Sequence, residues 1–167
     1  AQTLGLQDIQ VIEPVGEDED GQPYGLLRCG TLEEMPLDEF LEQVKFSLGT
    51  PVLRFARGSD SVKKVAVGGG ACAGAMDQAI AAGCDTFVTA DTRYNQFWDA
   101  KALGINLIDA GHFYTENPTM AVVAAKLRAE FPEIEVIESK THKDCVNFFH
   151  CTHHILKLCF YIVQNIR

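Results

Sequence analysis

Apolar positions recur along this chain with two periods, and the switches between them mark its elements. Residues 8–13 (DIQVIE) alternate apolar and polar and predict a strand. Residues 14–23 form a polar, acidic loop, and 24–30 (YGLLRCG) predict a second strand, hairpin-paired with the first. Over residues 36–48 the period lengthens. Leu37, Phe40, Leu41, Val44 and Leu48 fall on one helical face, Pro36 suits the first turn and Gly49 the stop. A strand is expected at 51–56 (PVLRFA) and another at 62–67 (VKKVAV), which ends in Gly68, Gly69 and Gly70. A helix over about 71–82 follows, with Met76, Ala79 and Ile80 inward, then a strand at 86–90 (TFVTA), a short helix at about 95–102 and a strand at 105–109 (INLID). Beyond a loop at 110–116, Asn117 and Pro118 predict a helix start, and Met120, Val123, Ala124, Leu127 and Phe131 share one face. Residues 134–138 (IEVIE) complete the pattern as a last strand.

Strand and helix alternation of this kind predicts an α/β fold with a mainly parallel sheet flanked by helices. One α/β domain is expected over 1–149. Residues 150–167 (HCTHHILKLCFYIVQNIR) show no clean period and are set apart as a tail of unknown nature. The run from Ile155 to Ile166 is too short for a membrane span. The opening, Ala1–Leu6, has helical character and no secretory signal ahead of it, so the chain is expected to begin within a longer protein.

Composition narrows the classes. With 167 residues, 47% hydrophobic and 22% charged, the chain has the balance of an ordinary globular protein. Its formal net charge of -9, without a cationic stripe, argues against a nucleic-acid polymer as partner. Six cysteines at irregular spacing, none in a C-x-x-C pair, read as thiols of a reducing compartment such as the cytoplasm.

In a parallel α/β sheet, ligands bind beyond the carboxyl ends of the strands. Two loops occupy that position, GGGACAG at 68–74 and DAGHFYTE at 109–116. In the second, His112 and Glu116 are four residues apart. If the loop coils there, imidazole and carboxylate face one point, a donor set that suits zinc, iron or manganese. The same spacing fits a hydrogen-bonded loop histidine and a dipole-favoured glutamate. In the first loop, Gly68, Gly70 and Ala73 match G-x-G-x-x-A. This reads first as a tight turn that lets a helix pack closely, with a phosphate cradle and Asp91 as the ribose-binding acid as the alternative. Asp91, Arg93 and Tyr94 can line the same crevice or cap the next helix, and Trp98 reads as packing. His142, Cys145, His150, Cys151, His153, His154 and Cys159 do not have zinc-site spacing. There is no G-K-[ST] and no G-x-S-x-G.

Three stretches together are similar to one family: GTLEEMPLDEFLEQVKFSLG (30–49), VAVGGGACAGAMDQAIAAGCDTFVTAD (65–91) and INLIDAGHFYTE (105–116). They resemble the Nif-three-like dinuclear metal-centre proteins, often labelled GTP cyclohydrolase type-two homologues in bacteria. The resemblance covers roughly 1–149 and implies the C-terminal of two similar α/β domains. It implies two divalent metal ions per complete site, held by an adjacent His pair and an Asp from an N-terminal half that this sequence lacks. His112 and Glu116 correspond to the family's G-H-x-x-x-E ligands. The resemblance also implies a homohexamer, a trimer of dimers. Asn95 stands where the family often has a His.

Three functions follow as expectations. The first is a metal-dependent hydrolase of the GTP cyclohydrolase homologue kind, acting on a nucleotide, with no catalytic acid or base identifiable. The second is a non-catalytic metal-binding scaffold or regulatory protein. The third is a Rossmann-like nucleotide binder that uses Gly68–Gly70.

Overall fold

The computed structural model describes residues 1–149. The expected tail, with the histidines and cysteines from 150 onward, lies outside the described residues.

Six strands form the main sheet. They are β1 (Gln7–Ile12), β4 (Leu27–Pro36), β5 (Arg54–Ala56), β6 (Ser61–Val67), β7 (Thr86–Thr89) and β8 (Asn106–Asp109), in the order β1-β4-β6-β7-β8-β5. Two further short strands, β2 (Gly16–Glu17) and β3 (Pro23–Tyr24), make a separate ribbon inside the acidic loop. The helices are α1 (Leu37–Leu48), α2 (Met76–Ala81), α3 (Tyr94–Leu103), α4 (His112–Glu116) and α5 (Pro118–Glu130). At the start, the expected helical character amounts to one 3-10 turn, Gln2–Leu4.

The expected α/β architecture is present, and its parallel part is β6–β7–β8. There the strand–helix alternation of the sequence is strict, and α2 and α3 make the crossovers. The flanking pairs, β1 with β4, β4 with β6 and β5 with β8, are antiparallel. The β1/β4 hairpin has the expected partners, with Gln10 opposite Cys29 and Ile12 opposite Leu27.

Alternation along the strands divides the core into two faces. Phe87 and Leu107 point to one side, where they pack with Met76, Ala79, Ala100 and Ile105 under α2 and α3. Val88 and Ile108 point to the other, where they meet Leu37, Phe40 and Val44 of α1. Phe40 is fully buried, a contribution of about 2–3 kcal/mol by area removed from water. Leu4 and Leu6 close the edge of this second cluster.

Several expected boundaries move. β4 runs past Gly30 to Pro36, with a register shift between Thr31 and Met35. Pro36 is therefore extended, at φ -58 and ψ 142, and caps α1 from outside instead of opening its first turn. The helix expected from residue 71 begins with a 3-10 turn, Ala73–Ala75, and becomes α-helical at Met76. Residues 134–138 form no strand. Arg128 explains why: its Nη2 donates to the Val136 carbonyl and to Glu138, both at 3.0 Å, so the chain returns along α5 and not into the sheet.

The apolar residues of α5 share one face, as their period predicts, but that face stays largely exposed. Ala124 is the only buried residue of the helix, while Met120, Val123, Leu127 and Phe131 are 56%, 40%, 38% and 44% exposed. No helix among the described residues is long and apolar enough to cross a membrane.

Candidate functional site

The three parallel strands end side by side, and the loops that follow them converge. Gly68–Gly70 follow β6, Ala90 and Asp91 follow β7, and Ala110 and Gly111 follow β8. Side chains at the strand ends tie these loops together. The Thr89 hydroxyl, fully buried, donates to the Gly70 carbonyl (3.0 Å) and accepts from the Cys72 N–H (3.1 Å). Ala90 N–H also donates to the Gly70 carbonyl, at 2.9 Å. Asp109, 5% exposed, accepts from the Thr92 N–H (2.9 Å), the Gly111 N–H (3.1 Å) and the Arg54 guanidinium. A buried carboxylate held by three donors is fixed in position. The roles of Asp109 and Thr89 were not readable from spacing, because their partners come from different strands.

After Gly111 the chain coils at once into α4, so the expected loop 110–116 is half helix. Residues four apart on a helix share a face, and His112 and Glu116 do so: His112 Nε2 lies 3.2 Å from Glu116 Oε2. On the other side of the ring, Nδ1 lies 2.7 Å from Asp91 Oδ2. All three side chains are about half exposed. The hydrogen bond to Asp91, with the nearby negative charge of Glu116 and Asp91, outweighs partial desolvation and holds the His112 pKa above its ordinary value. Burial, and then the Glu116 charge, push the Cys72 thiol up.

The glycine loop is shaped around this pair. A Cβ on Gly70 would sit 2.4 Å from Glu116 Oε1 and 3.1 Å from both His112 Cε1 and Nε2. Gly70 also has φ +64, a left-handed backbone that L side chains rarely adopt. Three of the loop's amides are already engaged. Gly68 N–H donates to the Val88 carbonyl, Gly70 N–H to Thr115 Oγ1, and Cys72 N–H to Thr89 Oγ1. A phosphate cradle needs such donors free and aimed outward, and Asp91 faces His112 instead of a ribose. The absence of a side chain at Gly70 lets the backbone approach the His112–Glu116 pair closely.

Of the other expected site residues, Arg93 caps α3, with its N–H on Gln96 Oε1 at 2.8 Å. Tyr94 is 77% exposed and meets Trp98 edge-on, with ring centroids 6.4 Å apart. Trp98 is 58% exposed, with Lys101 Nζ 5.8 Å from its ring, so it contributes less to packing than expected. Asn95 lines a separate cleft with Asp77 and Asp99. Asn117 makes no side-chain cap and is itself helical, so α4 leads almost directly into α5. His142 stacks at a tilt on Phe113, with centroids 5.2 Å apart.

Imidazole and carboxylate facing across 3.2 Å, with a glycine opposite, fit part of a metal's coordination shell. They do not make a whole one. Among the described residues no group of three or more His, Cys, Asp or Glu side chains is arranged to hold an ion.

A family model for Duf34/NIF3 (NGG1p interacting factor 3) matches residues 1–145. The chain belongs to the DUF34/NIF3 family. Among the DUF34/NIF3 relatives, a protein of Nostoc sp. named GTP cyclohydrolase 1 type 2 homolog is 35% identical over 133 residues, which are 77% of this chain and 49% of that one. A protein of the same name from Deinococcus radiodurans is 35% identical over 132 residues, 78% of this chain and 48% of that one. The chain thus spans about half the length of the curated relatives it matches. Among solved structures, a Staphylococcus aureus hypothetical protein superposes with a TM-score of 0.76 at 25% identity, covering 89% of this chain and 62% of that one. A Bacillus cereus protein related to NIF3 gives 0.66 at 34% identity, covering 77% of this chain and 37% of that one.

Proposed function

We propose that His112 and Glu116 are two ligands of a divalent metal centre, of zinc, iron or manganese type, completed by residues outside this sequence. A complete site holds two ions. The whole protein is then a metal-dependent hydrolase of the GTP cyclohydrolase type 2 homologue kind, acting on a nucleotide as a cytoplasmic homohexamer. The observation that carries this reading is the convergence of His112 Nε2 and the Glu116 carboxylate beside a glycine whose missing side chain keeps their approach open. The names of the relatives support the hydrolase part.

A bound divalent ion supplies Lewis acidity and a water activated near neutral pH. The chain's own residues do the rest. Thr89 and Asp109 fix the three loops, α4 presents both ligands from one turn, and Gly70 leaves the space in front of them.

A second reading is a metal-held scaffold without turnover. The apolar strip of α5, with Met120, Val123, Leu127 and Phe131 uncovered, favours it, since such strips mark association surfaces. Chelation separates the two. Loss of turnover with the oligomer intact supports the hydrolase, and dissociation on metal removal supports the scaffold.

Elemental analysis after mild dialysis tests the ligand assignment, on the wild type and on His112→Ala/Glu116→Ala. Metal in the first and none in the second is the expected result. Bound metal in equal amount in both would sink the assignment.

A further inference from the structure

Asp91 belongs to neither ligand position, yet its geometry is tied to His112. Its Oδ2 lies 2.7 Å from Nδ1, and among the described residues that is the one hydrogen bond its carboxylate makes. Its backbone is left-handed, with φ 49, one of three non-glycine residues in that region among the described residues. The neighbours on both sides are pinned, Ala90 N–H to the Gly70 carbonyl and Thr92 N–H to Asp109. Asp is among the few residues that enter this region at modest cost. The backbone turns sharply at the end of β7, and the turn delivers a carboxylate to one nitrogen of one ring.

We infer that Asp91 is a positioning residue: it holds His112 as the Nδ1–H tautomer and fixes the ring so that the Nε2 lone pair points at the Glu116 carboxylate. An ionised carboxylate only accepts hydrogen bonds, so the proton of the neutral ring must be on Nδ1. In the neutral ring Nε2 and Glu116 Oε2 then face each other across 3.2 Å as two acceptors, an arrangement completed by a proton or, in its place, a metal cation. This rests on the metal reading above. It adds that affinity depends on a residue that touches no metal, as the outer partners of ligating histidines do elsewhere.

The test compares the wild type with Asp91→Gly, which keeps the left-handed backbone and removes the carboxylate, and Asp91→Asn, which keeps an accepting oxygen. Long-range nitrogen–proton NMR of the His112 ring, recorded on the metal-free chain above the titration of the imidazole, reads the tautomer. Zinc titration followed on the same signals reads affinity. The expected result is a pyrrole-type Nδ1 in the wild type and a shift toward Nε2–H in Asp91→Gly. Zinc affinity should fall about 10–100-fold in Asp91→Gly, with Asp91→Asn in between. An unchanged tautomer in Asp91→Gly overturns the inference, whatever zinc does, and so does a changed tautomer with unchanged zinc affinity. The metal reading fails separately, if the wild type and His112→Ala bind zinc equally.

Discussion

Replacing Gly70 by alanine separates two costs that the structure combines at one residue. The first is conformational. At φ +64 an alanine is strained by about 1–2 kcal/mol, partly offset by the roughly 0.4–1 kcal/mol gained from a stiffer unfolded chain. The second is steric and local to the site. The new Cβ would lie 2.4 Å from Glu116 Oε1, where ordinary contact begins at 3.4 Å, so the carboxylate must retreat by 3.4 − 2.4 = 1.0 Å. Metal–ligand distances tolerate only about 0.2 Å, so the ligand is lost from its position. Gly104 provides the control. Its φ is +75, and a Cβ there meets nothing within 4 Å, so Gly104→Ala carries the conformational cost alone. Gly104→Ala should lose about 1 kcal/mol net, lowering Tm by about 2–4 °C, and Gly70→Ala at least as much. In a zinc titration read on His112, Gly70→Ala alone should weaken binding, by about tenfold or more, at least what losing an outer partner of a ligand costs. Equal zinc affinity in Gly70→Ala and Gly104→Ala would refute the reasoning that this loop is shaped around the ligand pair.

Three further outcomes follow from other parts of the molecule. Asn106 is fully buried and accepts from the N–H groups of Gly58 (2.9 Å) and Ser59 (3.0 Å) while donating to Ser59 Oγ and Thr86 Oγ1; Asn106→Leu strands these groups and should cost about 2–4 kcal/mol in urea unfolding, and a loss below about 0.5 kcal/mol would contradict the network. Burial, with Cys29 beside it, pushes the Cys84 thiol from 9.0 up to about 12; a raised folded pKa means its stabilising effect is complete below 9.0 and fades toward 12, so Tm should fall more steeply over that window in the wild type than in Cys84→Ala, and parallel profiles would refute it. Met120 is 56% exposed on α5, so Met120→Lys should leave the unfolding free energy of this chain within about 0.5 kcal/mol; a larger loss in calorimetry would mean that the side chain is covered.

What the sequence revealed follows from how local each signal is. The face of α1 was readable because Leu37, Phe40, Leu41 and Val44 need no partner to declare their period, and they are all buried. β6, β7 and β8 were readable because apolar strands lie between turn glycines and helices. The last six residues of β4 were not, since Glu33 and Glu34 interrupt the alternation where the register shifts. IEVIE at 134–138 has the alternation of a strand, but Arg128 draws the segment back along α5. For α5, periodicity showed an apolar face and could not show whether anything lies against it. In the site, His112 and Glu116 were readable from one helical turn. Asp91 was singled out only for other roles, because its contact with His112 spans 21 residues and depends on the adjacency of β7 and β8.

The place of β5 bears on how the chain assembles. It precedes β6 in sequence but pairs with β8 at the far edge, and its Arg54 reaches Asp109 across 55 positions. At about 5–20 residues per second of synthesis, that partner emerges about 3–11 s after Arg54. The β1/β4 hairpin and α1 are complete by then, while β5 waits as an unpaired strand. It can therefore join the sheet only once β8 has been made. As an edge strand held by three residue pairs, against four for β1 at the other edge, it should exchange its amides with solvent sooner than β1 does.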